Sequence, residues 1–185
     1  MSTQSKVAAA TTKVVTGKCR LSYAHVWTPH SSLPGQEPKY SVLLLIPKSD
    51  AATQEKIMGG IKVATENGKG LWGGKIPPNL KHPLRDGDQE RADDPLYQGH
   101  WFMNASSKEQ PGIVDRHLNK VMDKDEVYSG CYAAVSVNFY PYNVNGNRGV
   151  ACGLNNIQKL ADGSRLSGRS APETDFTAQT EDFLQ

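Results

Sequence analysis

Cysteine is scarce in this chain. Cys19, Cys131 and Cys152 are the only three, they lie far apart, and none forms a Cys-x-x-Cys pair. That spacing excludes a small disulfide-stapled fold and predicts buried thiols in a reducing compartment. His25 and His30 are close in sequence, but no cysteine pair accompanies them, so the ligand set of a structural zinc is missing. Long apolar runs are lacking as well. Nothing approaches the ~20 residues that cross a bilayer as a helix, and mean hydropathy is −0.55. The N-terminal MSTQSKVAAATTK has no apolar stretch of the secretory kind. A cytoplasmic protein is the default expectation.

Catalytic signatures are also missing. There is no Gly-x-Ser-x-Gly, no glycine-rich phosphate loop ending in Lys-Ser or Lys-Thr, and no His-Glu-x-x-His. Asp86, Asp88, Glu90, Asp93 and Asp94 crowd one segment, yet Arg85 and Arg91 lie among them. A metal-dependent nuclease needs carboxylates converging from several strand ends, and a calcium loop needs flanking helices and a fixed ligand spacing. The pattern favours a solvated charged loop. The expectation is a protein that is no enzyme and holds no cofactor and no metal.

Lysine and arginine are absent from residues 171–185, which hold Glu173, Asp175, Glu181 and Asp182. That end carries −4, so the remainder carries +6 of a net +2. A basic body suits a polyanion partner, and an acidic end can compete for the same surface. The chain finishes Glu181-Asp182-Phe183-Leu184-Gln185. Two acids before two apolar residues suit a peptide ligand for a basic groove with an apolar pocket.

What is present reads mainly as strand. Residues 1–12 are small and polar, a disordered arm. Lys13 to Trp27 alternates, with Val15, Cys19, Leu21 and Tyr23 on the core side and a bend at Gly17. Thr28 to Pro38 is a loop. KYSVLLLI (39–46) is a strand buried on both faces. Ser49 or Asp50 then caps a helix with Ile57, Met58, Ile61 and Ala64 as its apolar stripe, ended by Asn67-Gly68. Gly59-Gly60 suggests close packing of that helix on a sheet. Residues 68–98 form a long loop of the functional kind. HWFMNA (100–105) is a short strand, and Ile113-Val114 a strand or turn. GCYAAVSVNFYPY (130–142) and Val150 to Leu160 form a hairpin through NVNGNRG (143–149). The fold class is mainly β: a five-stranded antiparallel barrel of the OB type, with one main helix after the second strand. The domain spans 13–163, and 164–185 is a flexible linker and acidic tail.

The strand at 130–142 poses the functional question. Cys131, Ala133, Val135, Val137 and Phe139 make an ordinary core face. The other face carries Tyr132, Tyr140 and Tyr142 among Ala134, Ser136 and Asn138, where solubility would ask for lysine and glutamate. Tyr40, Trp72, Trp101 and Phe102 supply further rings, and Lys18, Arg20 and Arg148 supply cations. Rings beside spaced cations are what a single-strand nucleic-acid binder needs, because every base has a π-face and the backbone is anionic. The alternative is a β-rich structural or assembly protein whose tyrosine face is a subunit interface.

YSVLLLIPKSD (40–50), GHWFMNASSKEQPGIVD (99–115) and YSGCYAAVSVNFYPYNVNGNRGVACGLNNIQKLADG (128–163), followed by the acidic tail, resemble the single-stranded DNA-binding proteins of tailed phages. This is a family grouped with OB folds and first classed as a domain of unknown function. The resemblance implies a barrel that coats single-stranded DNA without sequence preference during phage replication or recombination in an infected bacterial cell. It implies a tail, here Glu181, Asp182 and Phe183, that recruits phage or host replication proteins. Related tails usually finish on or near a phenylalanine; here Leu184 and Gln185 follow Phe183. A homodimer or a cooperative assembly on DNA is compatible with the reading; a membrane partner is not expected.

Overall fold

A computed structural model describes residues 11–166 and Ala178. The acidic residues of the tail, with Phe183, and the first ten residues of the arm lie outside the described residues. The first strand of the sequence reading divides into β1 (Lys13–Val15) and β2 (Cys19–His30). The break falls at Gly17, whose N–H donates to Thr53 Oγ1 at 2.9 Å. A Cβ at Gly17 would collide with Asp50 Oδ2, so the bend is where the start of a helix meets the sheet. Thr16 bridges the gap: its hydroxyl oxygen accepts the Val135 N–H at 3.0 Å, so the ladder loses no bond.

The expected facing of this segment is corrected. Val14, not Val15, is buried, and Tyr23 is exposed. The bend shifts the alternation once. A second irregularity at Tyr23, φ +46°, shifts it again, so that Leu21 and Val26 are both buried at an odd spacing. β2 also runs through Pro29 to His30, shortening the expected loop.

β3 (Lys39–Pro47) has Val42 to Ile46 buried without interruption, as a strand covered on both sides requires. Asp50 caps α1 (Ala51–Asn67), accepting the Thr53 N–H at 3.1 Å. Ile57, Gly60, Ile61 and Ala64 face inward. Met58 does not; it is exposed, because the inward stripe runs through Gly60 instead. There a Cβ would stand 2.8 Å from Phe139 Cδ2 and 3.2 Å from Val14 Cγ2, which is the close approach the glycine pair suggested.

Residues 68–98 hold more regular structure than the loop expected from sequence: β4 (Arg85–Asp86) and the four-residue α2 (Gly87–Glu90). Then come β5 (His100–Ser107), β6 (Gly112–Val114) and the two longest strands, β7 (Tyr132–Val144) and β8 (Asn147–Ala161). Asn145 and Gly146, with φ +51° and +82°, make the two-residue turn between them.

The ladder runs β7-β2-β3-β5-β8, and β8 pairs back with β7, closing a ring of five strands. β1 extends β2 along the same edge of β7, and β4 and β6 are short additions. The seam between β5 and β8 is one parallel pair, Ser106 with Gly153, so one join of the ring is parallel and the barrel is not fully zipped there. The class is mainly β and OB-like, with its main helix after the second strand of the ring. Leu21, Val42, Leu44, Val135, Val137 and Phe139 fill the interior.

Candidate nucleic-acid interface

The alternation of β7 holds. Ala133, Val135, Val137 and Phe139 are buried, and Tyr132, Ala134, Ser136, Asn138 and Tyr140 face outward. The tyrosine face is nevertheless two places. At ~3.4 Å per residue, Tyr132 and Tyr140 stand about 27 Å apart along the strand.

At the first place, register puts Tyr132, Arg20, Leu45, Phe102 and Arg85 in one row across β7, β2, β3, β5 and β4. Lys18 Nζ lies 5.1 Å and Arg20 Cζ 5.6 Å from the Tyr132 ring centre. Arg20 is already engaged: its Nε donates to Gly130 O at 3.1 Å and its Nη2 to Ser164 O at 2.7 Å. The segment at Gly163 lies against the Tyr132 ring, for a Cβ there would sit 2.8 Å from Cε2. A cleft of about 200 Å³ remains, lined by Lys18, Arg20, Pro47, Leu96, His100 and Tyr132.

Next to it the sheet is covered. Leu43, Leu45, Phe102 and Tyr97 form a second small core on the outside of β3 and β5. The Tyr97 and Phe102 rings meet edge to face at 5.1 Å. Arg85 and Arg91 lie over these rings at 5.0 to 5.9 Å. This accounts for the double-sided burial of β3. The carboxylates of the segment serve the same cover: Lys48 pairs with Asp86 at 2.6 Å and Asp88 at 2.7 Å, and Arg85 with Glu90 at 2.8 Å. Asp88 also accepts the Gly99 N–H. Its carboxyl is held below the ordinary 3.8, first by Lys48 and then by that N–H. Among the described residues no three His, Cys, Asp or Glu side chains group as a metal site.

At the second place, Tyr140 is 41% exposed and Tyr142 half-buried, opposite Ala151 and Gly149 of β8. Neither β7 nor β8 contains an aspartate or glutamate. Arg148 is exposed in this hairpin, and its carbonyl accepts the Lys81 N–H at 3.0 Å. Lys81 Nζ in turn donates to Asn147 Oδ1 at 3.3 Å. Lys81 therefore joins the cations expected here; it was missed because its place at the hairpin edge depends on a lone bridge to Gly149.

Three expected rings move out of the candidate surface. Trp72 is 7% exposed within the main core, and its Nε1–H donates to Tyr142 O at 3.1 Å. It packs under Gly68, at the end of α1, and braces the tyrosine strand from inside. Trp101 is half-buried against the main core, with Lys48 Nζ 4.9 Å over its ring and its Nε1–H buried without a partner. Tyr40 is half-buried opposite Ser107, on the side of β3 that faces the interior. The structure thus groups Tyr132 with Lys18 and Arg20; Lys81, bridged to Gly149, is the cation in register with Tyr142, whereas Arg148, opposite Asn143, alternates to the other face of the hairpin tip.

Burial drives the thiols up, Cys19 to about 12, consistent with inert core cysteines. None of the described helices is long and apolar enough to cross a membrane.

Comparison with known proteins agrees with this geometry. The family model described as "Enterobacter phage Enc34, ssDNA-binding protein" matches residues 12–184. Protein p50 of Acyrthosiphon pisum secondary endosymbiont phage 1 is 33% identical over 168 residues, covering 84% of this chain and 87% of that protein. The single-stranded DNA-binding protein of bacteriophage Enc34, solved in complex with ssDNA, superposes with a TM-score of 0.75 at 24% identity, covering 84% of this chain and 89% of that one. The bacteriophage T7 single-stranded DNA-binding protein gp2.5 gives 0.61 at 15% identity, over 94% and 98%.

Proposed function

We propose, from the premise that the chain belongs to the Enc34 family of phage single-stranded DNA-binding proteins, that it coats single-stranded DNA without reading its sequence. The observation that carries this is the outward face of the β7–β8 hairpin. Exposed Tyr140 and half-buried Tyr142 sit there among alanine, serine, asparagine and glycine, on two strands free of carboxylates, with Lys81 bridged to Gly149 opposite Tyr142 and Arg148 exposed at the hairpin tip. A base stacked on a tyrosine is worth about 1–3 kcal/mol, and small neighbours let it approach. Arg148 and Lys81 neutralise phosphates, and Lys18 with Arg20 continue the basic surface at the far end of β7. Stacking does not inspect base edges, so affinity is insensitive to sequence.

The protein acts by binding rather than by catalysis: Asp86, Asp88 and Glu90 of its acidic loop are spent on Lys48, Arg85 and Gly99. In an infected cell it shields replicating or recombining strands, and Glu181, Asp182 and Phe183 recruit a replication protein.

The test is titration of labelled oligo-dT, and of a matching duplex, at low and moderate salt in EDTA. The expected result is tight single-strand binding, quenched intrinsic fluorescence, weaker duplex binding, and a log–log salt slope of about −0.7 per phosphate contacted. Self-association with no binding at low salt would return the tyrosine face to a subunit interface.

A further inference from the structure

The covering loop leaves one part of the outer sheet open. Register places Asn138, Gly153, Ser106, Ser41 and His25 in one row across β7, β8, β5, β3 and β2. The row begins beside Tyr140, whose Cε1 lies 3.6 Å from where a Gly153 Cβ would stand. It ends in a groove of about 470 Å³ at the β2–β3 loop, walled by His30, Lys39, Ser41, Ser106 and Lys108.

Two histidines five residues apart on a regular strand would face opposite ways. Here the ladder slips: His25 opposes Ser41, while His30 opposes Lys39. Ser41 and Lys39 share a face, so both imidazoles do as well. Their rings stack at 4.1 Å, with 11° between planes.

We propose that this groove is a backbone subsite for single-stranded DNA, walled by His30, and that His25, stacked on His30 beside it, takes up a proton as the phosphates arrive. The inference rests on the single-strand-binding reading and extends its path from Tyr140 across the row to the β2–β3 loop. The charged and titratable groups around the pair are His25 and His30 from β2, Glu37 from the loop, Lys39 from β3 and Lys108 beyond β5. Glu37 lies 3.3 Å from Lys108, an exposed ion pair that a phosphate can replace. In the free protein the His25 imidazolium is disfavoured, first by burial and then by His30, so its value lies below the ordinary 6.5. An anionic backbone alongside favours the charged ring. The sign follows. A histidine whose value is higher in the complex than in the free protein binds DNA more tightly as pH falls through that interval. The gain is about tenfold per unit of difference. A neutral pair at high pH still offers two flat rings.

The experiment measures oligo-dT affinity from pH 8.5 to 5.5 for the full-length protein, for H25Q/H30Q and for K39Q/K108Q, with melting curves confirming folding. Wild-type affinity is expected to rise several-fold towards pH 5.5, and H25Q/H30Q to flatten that rise although His82, His100 and His117 remain. K39Q/K108Q should reduce the salt slope by about 1.4, two phosphates' worth. Normal binding with the same pH profile and slope in both variants would overturn this subsite and leave the proposed function standing. No binding by wild type at any pH would overturn both.

Discussion

Tyr140 and Trp72 occupy adjoining parts of one hairpin and do opposite things. Tyr140 shows 41% of its surface, faces away from the core, and has Ala151 and Gly153 beside it. Its substitution should remove the proposed stacking platform and little packing. Tyr140→Ala should weaken oligo-dT binding by about 1–3 kcal/mol, five- to 150-fold, with an unchanged melting temperature. Trp72 lies in the core and ties its indole N–H to Tyr142 O. Trp72→Ala opens a cavity and should cost about 3–5 kcal/mol of stability. Affinity measured well below its lowered melting point should stay within a few-fold of wild type. A large affinity loss in a folded Trp72 variant would mean that the indole meets DNA after all. Tyr132→Ala should matter less than Tyr140→Ala, because Lys18, Arg20 and Gly163 already crowd that ring.

At the scale of elements, the segment from Arg85 to Tyr97 is a cover with its own fastening. Tyr97 and Phe102 hold it by apolar contact; Lys48 holds it by pairing with Asp86 and Asp88. Lys48→Ala should speed tryptic cleavage after Arg85 and Arg91 at neutral pH; an unchanged cleavage rate would show that the apolar contacts suffice. The pH dependence has a definite sign. Asp88 is lowered by Lys48, and Asp50 by the Thr53 hydroxyl and N–H. A carboxylate lowered in the folded state stabilises fully above its unfolded value near 4 and loses that contribution as pH falls through its depressed value. The melting temperature should therefore drop below pH 4, beyond the earlier and smaller decline that His25, lowered when folded, contributes as pH falls through its unfolded 6.5. The cover also explains what the sequence hid. The alternation of β7, the Asn145-Gly146 turn and the Asp50 cap are local patterns and were legible. The T-shaped Tyr97–Phe102 pair and the Arg85 and Arg91 contacts form across the turns between β4 and β5, with no periodicity to join them. The His25–His30 stack was hidden for a related reason: it depends on a slip in register, which alternation cannot report.

At the scale of the whole molecule, charge is divided between a body of +6 and an end, residues 171–185, of −4. The last described stretch of the main body places the root of that end close to cations. Leu166 N–H bonds to Ser129 O, and Ser164 O accepts Arg20 at 2.7 Å, in the row that holds Tyr132. From Leu166 to Phe183 the chain can span at most ~3.6 Å per residue, about 60 Å, enough to reach either end of β7. Glu181 and Asp182 can therefore meet Lys18, or Arg148 and Lys81, whenever DNA does not. Deleting residues 171–185 should tighten oligo-dT binding several-fold at low salt. The gain should shrink as salt rises, since exposed charges more than about 10 Å apart are screened at 0.1 M. The same deletion removes the proposed recruitment residues Glu181, Asp182 and Phe183, so on that proposal pull-down of a replication partner should fall while DNA affinity rises. Binding that is unchanged or weaker after the deletion would sink the competition. It would leave the acidic end with the proposed recruitment role alone, and the basic body open to DNA at all times.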